Sequence, residues 1–117
     1  MGNVLLDKSV DFAVRCVQFY NYLRDEKREY VMSKQMLRSG TSIGANISES
    51  QGSQSNPDFI ARLHISLKEA KETSYWLLVL YRSEIINETE YNSMNDDLKE
   101  IIALLVSIIK SLKVNSQ

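Results

Sequence analysis

The chain of 117 residues contains one proline and four glycines. Both residue types are unfavourable in the interior of a helix, so their scarcity is typical of a helical protein. No Asn-Gly or Asp-Gly pair occurs, and apolar and polar residues nowhere alternate for long, so the signals of β-hairpins and strands are missing. The sequence therefore predicts an all-α protein, and at this length it is expected to form a single domain, residues 1–117.

Reactive side chains are equally scarce, with one cysteine, Cys16, and one histidine, His64. A single thiol forms no internal disulfide. The first residues also lack the basic and apolar stretches of a signal peptide, so we expect a cytoplasmic protein. One imidazole without a cysteine or carboxylate cluster at ligand spacing predicts no metal site and no cofactor. The longest apolar run, 101–109, is too short to cross a bilayer, so no membrane partner is expected.

No charge sign dominates, because 14 basic and 15 acidic residues give a net charge of −1. Binding to nucleic acid would therefore need a local basic patch rather than bulk attraction. Acidic residues at positions 25, 26 and 29 interleave with the one candidate patch and would offset much of its field. That candidate flanks the first predicted helix connection and consists of Arg24, Lys27, Arg28, Lys34 and Arg38.

Apolar residues recur at steps of three and four in four segments, which predicts helices over 7–24, 31–51, 57–84 and 89–112. Short connections favour antiparallel neighbours, so the expected fold is an antiparallel up-and-down four-helix bundle. One face of the first helix is expected to carry Leu6, Val10, Ala13, Val14, Val17 and Tyr20.

The second helix is rich in small residues, and Gly40 and Gly44 are four apart on one face. Because glycine costs a helix about 1 kcal/mol relative to alanine, this pair predicts a close approach by another backbone. Asn46 and Glu49 lie in the same segment as a polar motif of the bundle core. They are either structural, with Glu49 paired to a cation, or part of a polar pocket at one end of an assembly.

The third helix has the clearest start signal. Ser55 or Asn56 suits the cap, Pro57 suits the first helical position, and Asp58 complements the helix dipole. The fourth helix is expected to begin with Thr89 as its cap.

Two segments, 75–81 and 101–109, are apolar on nearly every side. A helix in a four-helix bundle keeps one outward face, so such segments leave an apolar patch that predicts self-association. The expected interface between copies includes Tyr75, Trp76, Leu80 and Leu104.

The stretch 32–76 resembles the bacterial family known as four-helix-bundle proteins. That family includes proteins encoded in intervening sequences of large-subunit ribosomal RNA genes, and it is related to the accessory variability protein of diversity-generating retroelements. The residues that carry the resemblance are Arg38-Ser39, Thr41-Ser42-Ile43, Ala45-Asn46-Ile47-Ser48-Glu49, Asp58-Phe59 and Ser66-Leu67-Lys68-Glu69-Ala70.

The resemblance implies an antiparallel bundle that forms homo-oligomers, with a barrel-like homopentamer as the best-known form. It also implies nucleic-acid binding through a strongly basic surface in the retroelement branch, from which the slightly acidic balance of this chain departs. Many members have a glycine turn between the third and fourth helices. Here Ser83 to Asn87 replaces it, and Asn87 is expected to adopt the left-handed conformation.

A Cys16–His64 nucleophile pair would need the two side chains within hydrogen-bond reach, and an unpaired cysteine is more often a packing residue. The sequence therefore predicts a non-enzymatic, self-assembling scaffold or adaptor. The alternative is an RNA- or DNA-binding accessory module that uses the basic patch.

Overall fold

The computed structural model describes residues 3–115, which form four α-helices and no β-strand within that range. They are α1 (Val4–Asp25), α2 (Met32–Ser50), α3 (Asn56–Arg82) and α4 (Glu88–Asn115). Each helix packs against the next in chain order, and α1 also contacts α4, which closes the bundle. The predicted all-α, antiparallel up-and-down four-helix bundle is confirmed.

The core contains one side-chain row from each helix, spaced at the helical repeat. Residues at steps of three and four point the same way, so a continuous apolar stripe meets the bundle axis. The largest fully buried apolar side chains are Phe12, Leu23, Met36, Ile43, Ile47, Leu63, Leu77, Leu80, Leu98, Ile101 and Leu105.

The inward face of α1 differs from the stripe that the spacing of its valines suggests. Phe12, Cys16 and Phe19 point into the core, whereas Val10 and Val14 remain 49% and 52% exposed. Two apolar stripes run along this helix, and the one with the large aromatic residues fills the bundle interior. The valines therefore lie on the outer surface.

The predicted close approach of backbones occurs between α1 and α2. A Cβ atom added to Gly40 would lie 2.5 Å from the Cys16 sulfur, and one added to Gly44 would lie 3.2 Å from Ser9 Oγ. A side chain at position 40 would therefore force the Cys16 side chain to shift, and one at position 44 would require Ser9 to move by a few tenths of an ångström. The prediction drawn from the paired glycines is confirmed.

Buried hydroxyl groups join α2 to α3. Ser66 Oγ donates a hydrogen bond to the Ile43 carbonyl at 2.9 Å, and Thr73 Oγ1 lies 2.8 Å from Ser39 Oγ. A buried polar group without a partner is costly, and these pairings remove that cost while letting small side chains bring the helices together.

Helix α2 is capped from outside by Glu29. Its carboxylate accepts hydrogen bonds from the backbone N–H groups of Val31, Met32 and Ser33 at 3.1, 2.9 and 2.7 Å. These are donors that a helix leaves without internal partners at its first turn. Helix α3 begins as the sequence predicts, with Ser55 as its cap and its Oγ 3.3 Å from the Asp58 N–H.

The start of α4 corrects the prediction that Thr89 is its cap. The helix begins at Glu88. Asn87 Oδ1 accepts from the Glu90 N–H at 2.8 Å, and Glu90 Oε1 accepts from the Asn87 N–H at 2.8 Å. This reciprocal capping box satisfies two free donors at once, so Asn87 is the better cap.

The prediction that Asn87 adopts the left-handed conformation is wrong. The left-handed residue after α3 is Glu84, with a φ of 62°. The Ile85 N–H donates to the Leu80 carbonyl and the Glu84 N–H donates to the Tyr81 carbonyl, both at 3.0 Å. This is the Schellman pattern of helix termination, here formed without glycine.

Candidate functional site

Cys16 is a packing residue in the α1–α2 contact, where only 1% of it is exposed. Burial raises the pKa of its thiol to about 12, with a small opposing effect from Arg15. His64 lies exposed on α3. The structure therefore separates a buried, protonated thiol from a solvated imidazole and does not bring them together as a nucleophile pair.

Asn46 and Glu49 do not form a polar centre in the bundle core. The Asn46 Nδ2 atom donates to the Ser42 carbonyl at 2.8 Å within α2. Glu49 is exposed and forms an ion pair with Arg62 of α3 at 2.6 Å. The prediction that places both residues in the core is wrong for Glu49, which matches the structural interpretation of a carboxylate paired to a cation.

The five basic patch residues are all exposed, but two of them are neutralised locally. Arg24 pairs with Asp25 at 2.7 Å. Arg38 pairs with Glu69 and Glu72 across the α2–α3 contact. The hydrogen bond that Arg38 donates to Glu72, together with the negative charges of Glu69 and Glu72, raises the pKa of Arg38, so this guanidinium is engaged in the contact between α2 and α3.

The remaining patch cations are Lys27, Arg28 and Lys34. Lys27 lies 5.7 Å from the Tyr22 ring centre, which is cation–π range. Arg28 sits in the left-handed region with φ of 54°. Within residues 3–115 none of the three forms an ion pair.

Polar side chains bridge α1 and α4 along one seam, at the pair of neighbouring helices with the fewest contacts. Lys8 pairs with Glu100 at 2.6 Å. Arg15 pairs with Asp97 at 2.5 Å and donates to Ser93 Oγ at 2.6 Å.

Tyr22 of α1 and Glu90 at the start of α4 form the third contact of this seam, and the interaction of the Tyr22 hydroxyl with the Glu90 carboxylate raises the pKa of Tyr22. Burial alone would raise the pKa of Glu90, but the Tyr22 hydroxyl and the Asn87 N–H lower it overall. An open groove of about 380 Å³ lies along the seam, with Phe19, Tyr22 and Met94 in its lining.

The four residues predicted to form an interface between copies fall into two groups. Tyr75 is 57% exposed on the outer face of α3. Trp76 and Leu104 are half-buried, and the Trp76 indole donates to Glu72 at 3.2 Å. Leu80 is fully buried inside the bundle. Its prediction as a surface residue is wrong, because it belongs to the core stripe of α3.

A second apolar surface, which we call the valine groove, was not predicted from the sequence. It is an open cavity of about 350 Å³ between α1 and α2. Its lining is almost entirely apolar and consists of Val10, Ala13, Val14, Val17, Thr41, Gly44 and Ala45. The signal that could have found it is the mismatch between two apolar stripes on α1 and the single stripe that a bundle can bury.

The described residues offer no group of three or more histidine, cysteine or acidic side chains that could hold a metal ion. In the same part of the chain no helix is long and apolar enough to cross a membrane. What the arrangement offers chemically is apolar contact area on two faces of the bundle.

Comparison with known proteins gives one family. The sequence profile of the 23S rRNA-intervening sequence protein family matches residues 3–107. A crystal structure of a protein of unknown function from the S23 ribosomal protein family of Bacteroides thetaiotaomicron is 58% identical, with a TM-score of 0.90. That similarity covers 92% of this chain and 99% of the other. Among proteins of curated function, none matches the chain.

Proposed function

This chain belongs to the 23S rRNA-intervening sequence protein family, and we propose that it acts as a non-enzymatic, self-assembling scaffold or adaptor. The observation that carries the proposal is the apolar surface left outside the closed bundle. Val10, Val14 and Val17 on α1 are 46 to 52% exposed, and Ile65 and Tyr75 on α3 are 44% and 57% exposed. Contiguous apolar patches on soluble domains usually mark interaction surfaces.

The chemistry of the reactive groups supports a scaffold over a catalyst. The pKa of Cys16, raised by burial to about 12, keeps the thiol protonated at neutral pH. Arg38 pairs with both Glu69 and Glu72 across α2 and α3, and Arg62 pairs with Glu49 along the same two helices. Such pairs are typical of a solvated bundle surface rather than of a reaction centre.

Light scattering coupled to gel filtration tests self-assembly. A monomer has a mass of 13.4 kDa, so light scattering should give an oligomer a mass that is a multiple of this value. The family resemblance favours five times the monomer mass. A monodisperse species of monomer mass at micromolar concentration would refute the proposal. Scattering measured across a dilution series would separate a stable assembly from weak association.

A second candidate function, RNA or DNA binding at the first helix connection, is favoured by one observation. Arg28 and Lys34 make no ion pair with any described residue, so their charges remain available to phosphate groups, whereas the Lys27 charge already acts on Tyr22 and Glu90. Phosphate binding of this kind weakens steeply with salt, because each contact releases counterions.

Filter binding of a labelled RNA and a labelled duplex DNA at low and moderate salt tests this alternative. The expected result is binding at low salt that the Lys34→Gln substitution weakens and that Lys113→Gln, at the far end of α4, leaves unchanged. Undetectable binding at low salt for both nucleic acids would exclude it.

A further inference from the structure

The tyrosine of the first helix connection differs from every other tyrosine of the chain. The connection spans residues 26–31, between the end of α1 and the start of α2. Tyr30 is 51% exposed, and among the described residues its ring contacts neither another ring nor a cation. The tyrosines that do have such a contact are Tyr20, Tyr22, Tyr75, Tyr81 and Tyr91.

We propose that this connection binds an unpaired stretch of RNA or DNA, with one base stacked on Tyr30 and phosphate groups held by Arg28 and Lys34. This inference rests on the second candidate function and names the class of nucleic acid that the connection takes, which is a single strand and not a duplex. An exposed ring beside cations suits a single strand of any sequence, because every base has a flat face and every nucleotide carries a phosphate.

Two of the three acidic residues in this region are already engaged. The Arg24 guanidinium donates to both carboxylate oxygens of Asp25, at 2.7 and 3.1 Å. The Glu29 carboxylate is directed at the first turn of α2, where it accepts from backbone N–H groups that carry partial positive charge. Of the three carboxylates, only Glu26 therefore remains to offset the cations that make no ion pair.

The three cations of the connection and of the first turn of α2 lie in different surroundings. Lys27 lines a groove of about 360 Å³ together with three acidic residues, Glu84, Glu88 and Glu90. Arg28 and Lys34 are exposed and are not part of the lining of that groove. Phosphate groups are therefore expected at Arg28 and Lys34, where no nearby carboxylate forms an ion pair with the cation within residues 3–115.

The backbone of the connection holds Tyr30 in place from both sides. Arg28 adopts the left-handed conformation, with φ of 54°, and the Glu29 N–H donates to the Leu23 carbonyl at 2.9 Å. The Val31 N–H donates to the Glu29 carboxylate at 3.1 Å. A segment that is already ordered loses less conformational freedom when a ligand binds.

The shape of the connection favours unpaired bases. In a duplex the bases stack on one another, and proteins read their edges by placing a helix or a β-ribbon in the major groove. Residues 26–31 form neither. An unpaired base exposes its face to an aromatic ring. The Cα atoms of Arg28 and Lys34 are at most about 20 Å apart along the chain, which limits the site to a short stretch of nucleotides.

Fluorescence anisotropy tests the proposal with three labelled probes, a short RNA of mixed sequence, the DNA of the same sequence, and that DNA annealed to its complement. We expect single strands to bind at low salt and the duplex to bind at least about tenfold more weakly, because it offers no free base to stack. Whichever of the two single strands binds identifies the source of the ligand.

Three variants at one position isolate the ring. Tyr30→Leu keeps an apolar side chain but has no aromatic face, so it should weaken single-strand binding by about tenfold, the effect of losing one stacked base. Tyr30→Ala should weaken it to a similar extent. Tyr30→Phe is the matched control, since it keeps the ring and removes only the hydroxyl, and it should bind as the parent protein does. Circular dichroism establishes that all three remain helical.

Salt dependence separates stacking from charge. Lys34→Gln should lower the slope of the logarithm of the binding constant against the logarithm of the salt concentration by about 0.7, because one phosphate contact is lost. Tyr30→Leu should weaken binding at every salt concentration and leave that slope unchanged. A variant that merely disturbed the connection would change both quantities.

The outcomes separate this inference from the function on which it rests. If the duplex binds as tightly as the single strands, or if Tyr30→Leu binds like the parent protein, the inference is wrong while nucleic-acid binding at the connection stands. If none of the three probes binds at low salt, the second candidate function fails and the inference fails with it. If Tyr30→Leu instead lowers the mass of the protein in light scattering, Tyr30 lies between copies of the chain, and the inference is overturned.

Discussion

The sulfur of Cys16 occupies the space that a side chain at Gly40 would need. An added Cβ atom at Gly40 would lie 2.5 Å from that sulfur and 3.4 Å from the Cys16 Cβ atom. The side chains allowed at the two positions therefore depend on each other, because the missing side chain at Gly40 on α2 leaves the space that the Cys16 thiol on α1 occupies. This contact sets the separation of the two helices at the middle of the bundle.

Gly40→Ala is expected to destabilise the fold by about 1 kcal/mol. Inserting a methyl group into a packed core costs about 1–3 kcal/mol, and the better helix propensity of alanine returns up to about 1 kcal/mol. In a Cys16→Ala background the clash is removed, so the same substitution should become neutral or stabilising. Urea unfolding of the four proteins in this double-mutant cycle measures the change of sign. Equal effects of Gly40→Ala in both backgrounds would contradict the contact.

The Cys16 thiol is expected to react very slowly with a disulfide reagent such as dithionitrobenzoate at pH 8. Burial raises its pKa to about 12, so almost no thiolate is present, and the side chain is also inaccessible. Reaction should reach completion only in denaturant. Rapid stoichiometric labelling of the folded protein would show that α1 and α2 separate readily at this point.

Leu80→Ala should lower the free energy of unfolding by about 3 kcal/mol, as truncation of a fully buried leucine does elsewhere. Leu80 has no exposed surface in the single bundle. Val114→Ala, which alters a side chain that is 71% exposed, should stay within about 0.5 kcal/mol. Thermal or urea unfolding distinguishes the two substitutions. A small loss of unfolding free energy in Leu80→Ala would contradict the burial of Leu80 in the bundle.

Glu29 should make the stability depend on pH. Burial alone would raise the pKa of Glu29, but the backbone N–H groups of Met32, Ser33 and Val31 lower it overall. A carboxylate whose pKa is lower in the folded chain stabilises the fold above its unfolded pKa of about 4.3. That contribution is lost as the pH falls through the folded pKa.

Glu29→Gln keeps an acceptor oxygen but cannot titrate, so its unfolding free energy should fall less steeply than that of the parent protein below about pH 5. Glu29→Ala removes the cap and should cost about 1 kcal/mol at neutral pH. If the unfolding free energies of the parent protein and Glu29→Gln depend on pH in the same way, the charge of the carboxylate contributes nothing to the cap.

Local chemistry made much of the fold predictable. The spacing of apolar residues predicted four helices in an antiparallel bundle, and Gly40 and Gly44 predicted a close helix contact because glycine in a helix has a local cost. Ser55 and Pro57 predicted the start of α3 for the same kind of reason. Each of these signals lies within a few residues of the feature that it produces.

Features that depend on the partner helix were not predictable in this way. On α1 the valine stripe and the stripe of Phe12, Cys16 and Phe19 have similar spacing, and only the surface that α2 presents selects which one is buried. Leu80 lies in a segment that is apolar on every side, so the spacing of its neighbours does not identify which side faces the core. The cap from Glu29 is hard to predict because that residue lies three positions before the first residue of α2, and the cap from Asn87 because Thr89, two positions later, is also a preferred cap residue type.

The seam between α1 and α4 has a mechanical consequence. Because those helices are antiparallel, the first turn of α1 and the last turn of α4 emerge at the same end of the bundle. Tension applied to that end would peel the helices apart and load Lys8–Glu100, Arg15–Asp97 and Tyr22–Glu90 one after another. The protein should therefore yield to force by unzipping at a low threshold, whereas pulling along the helix axes from opposite ends would shear all of these bridges together.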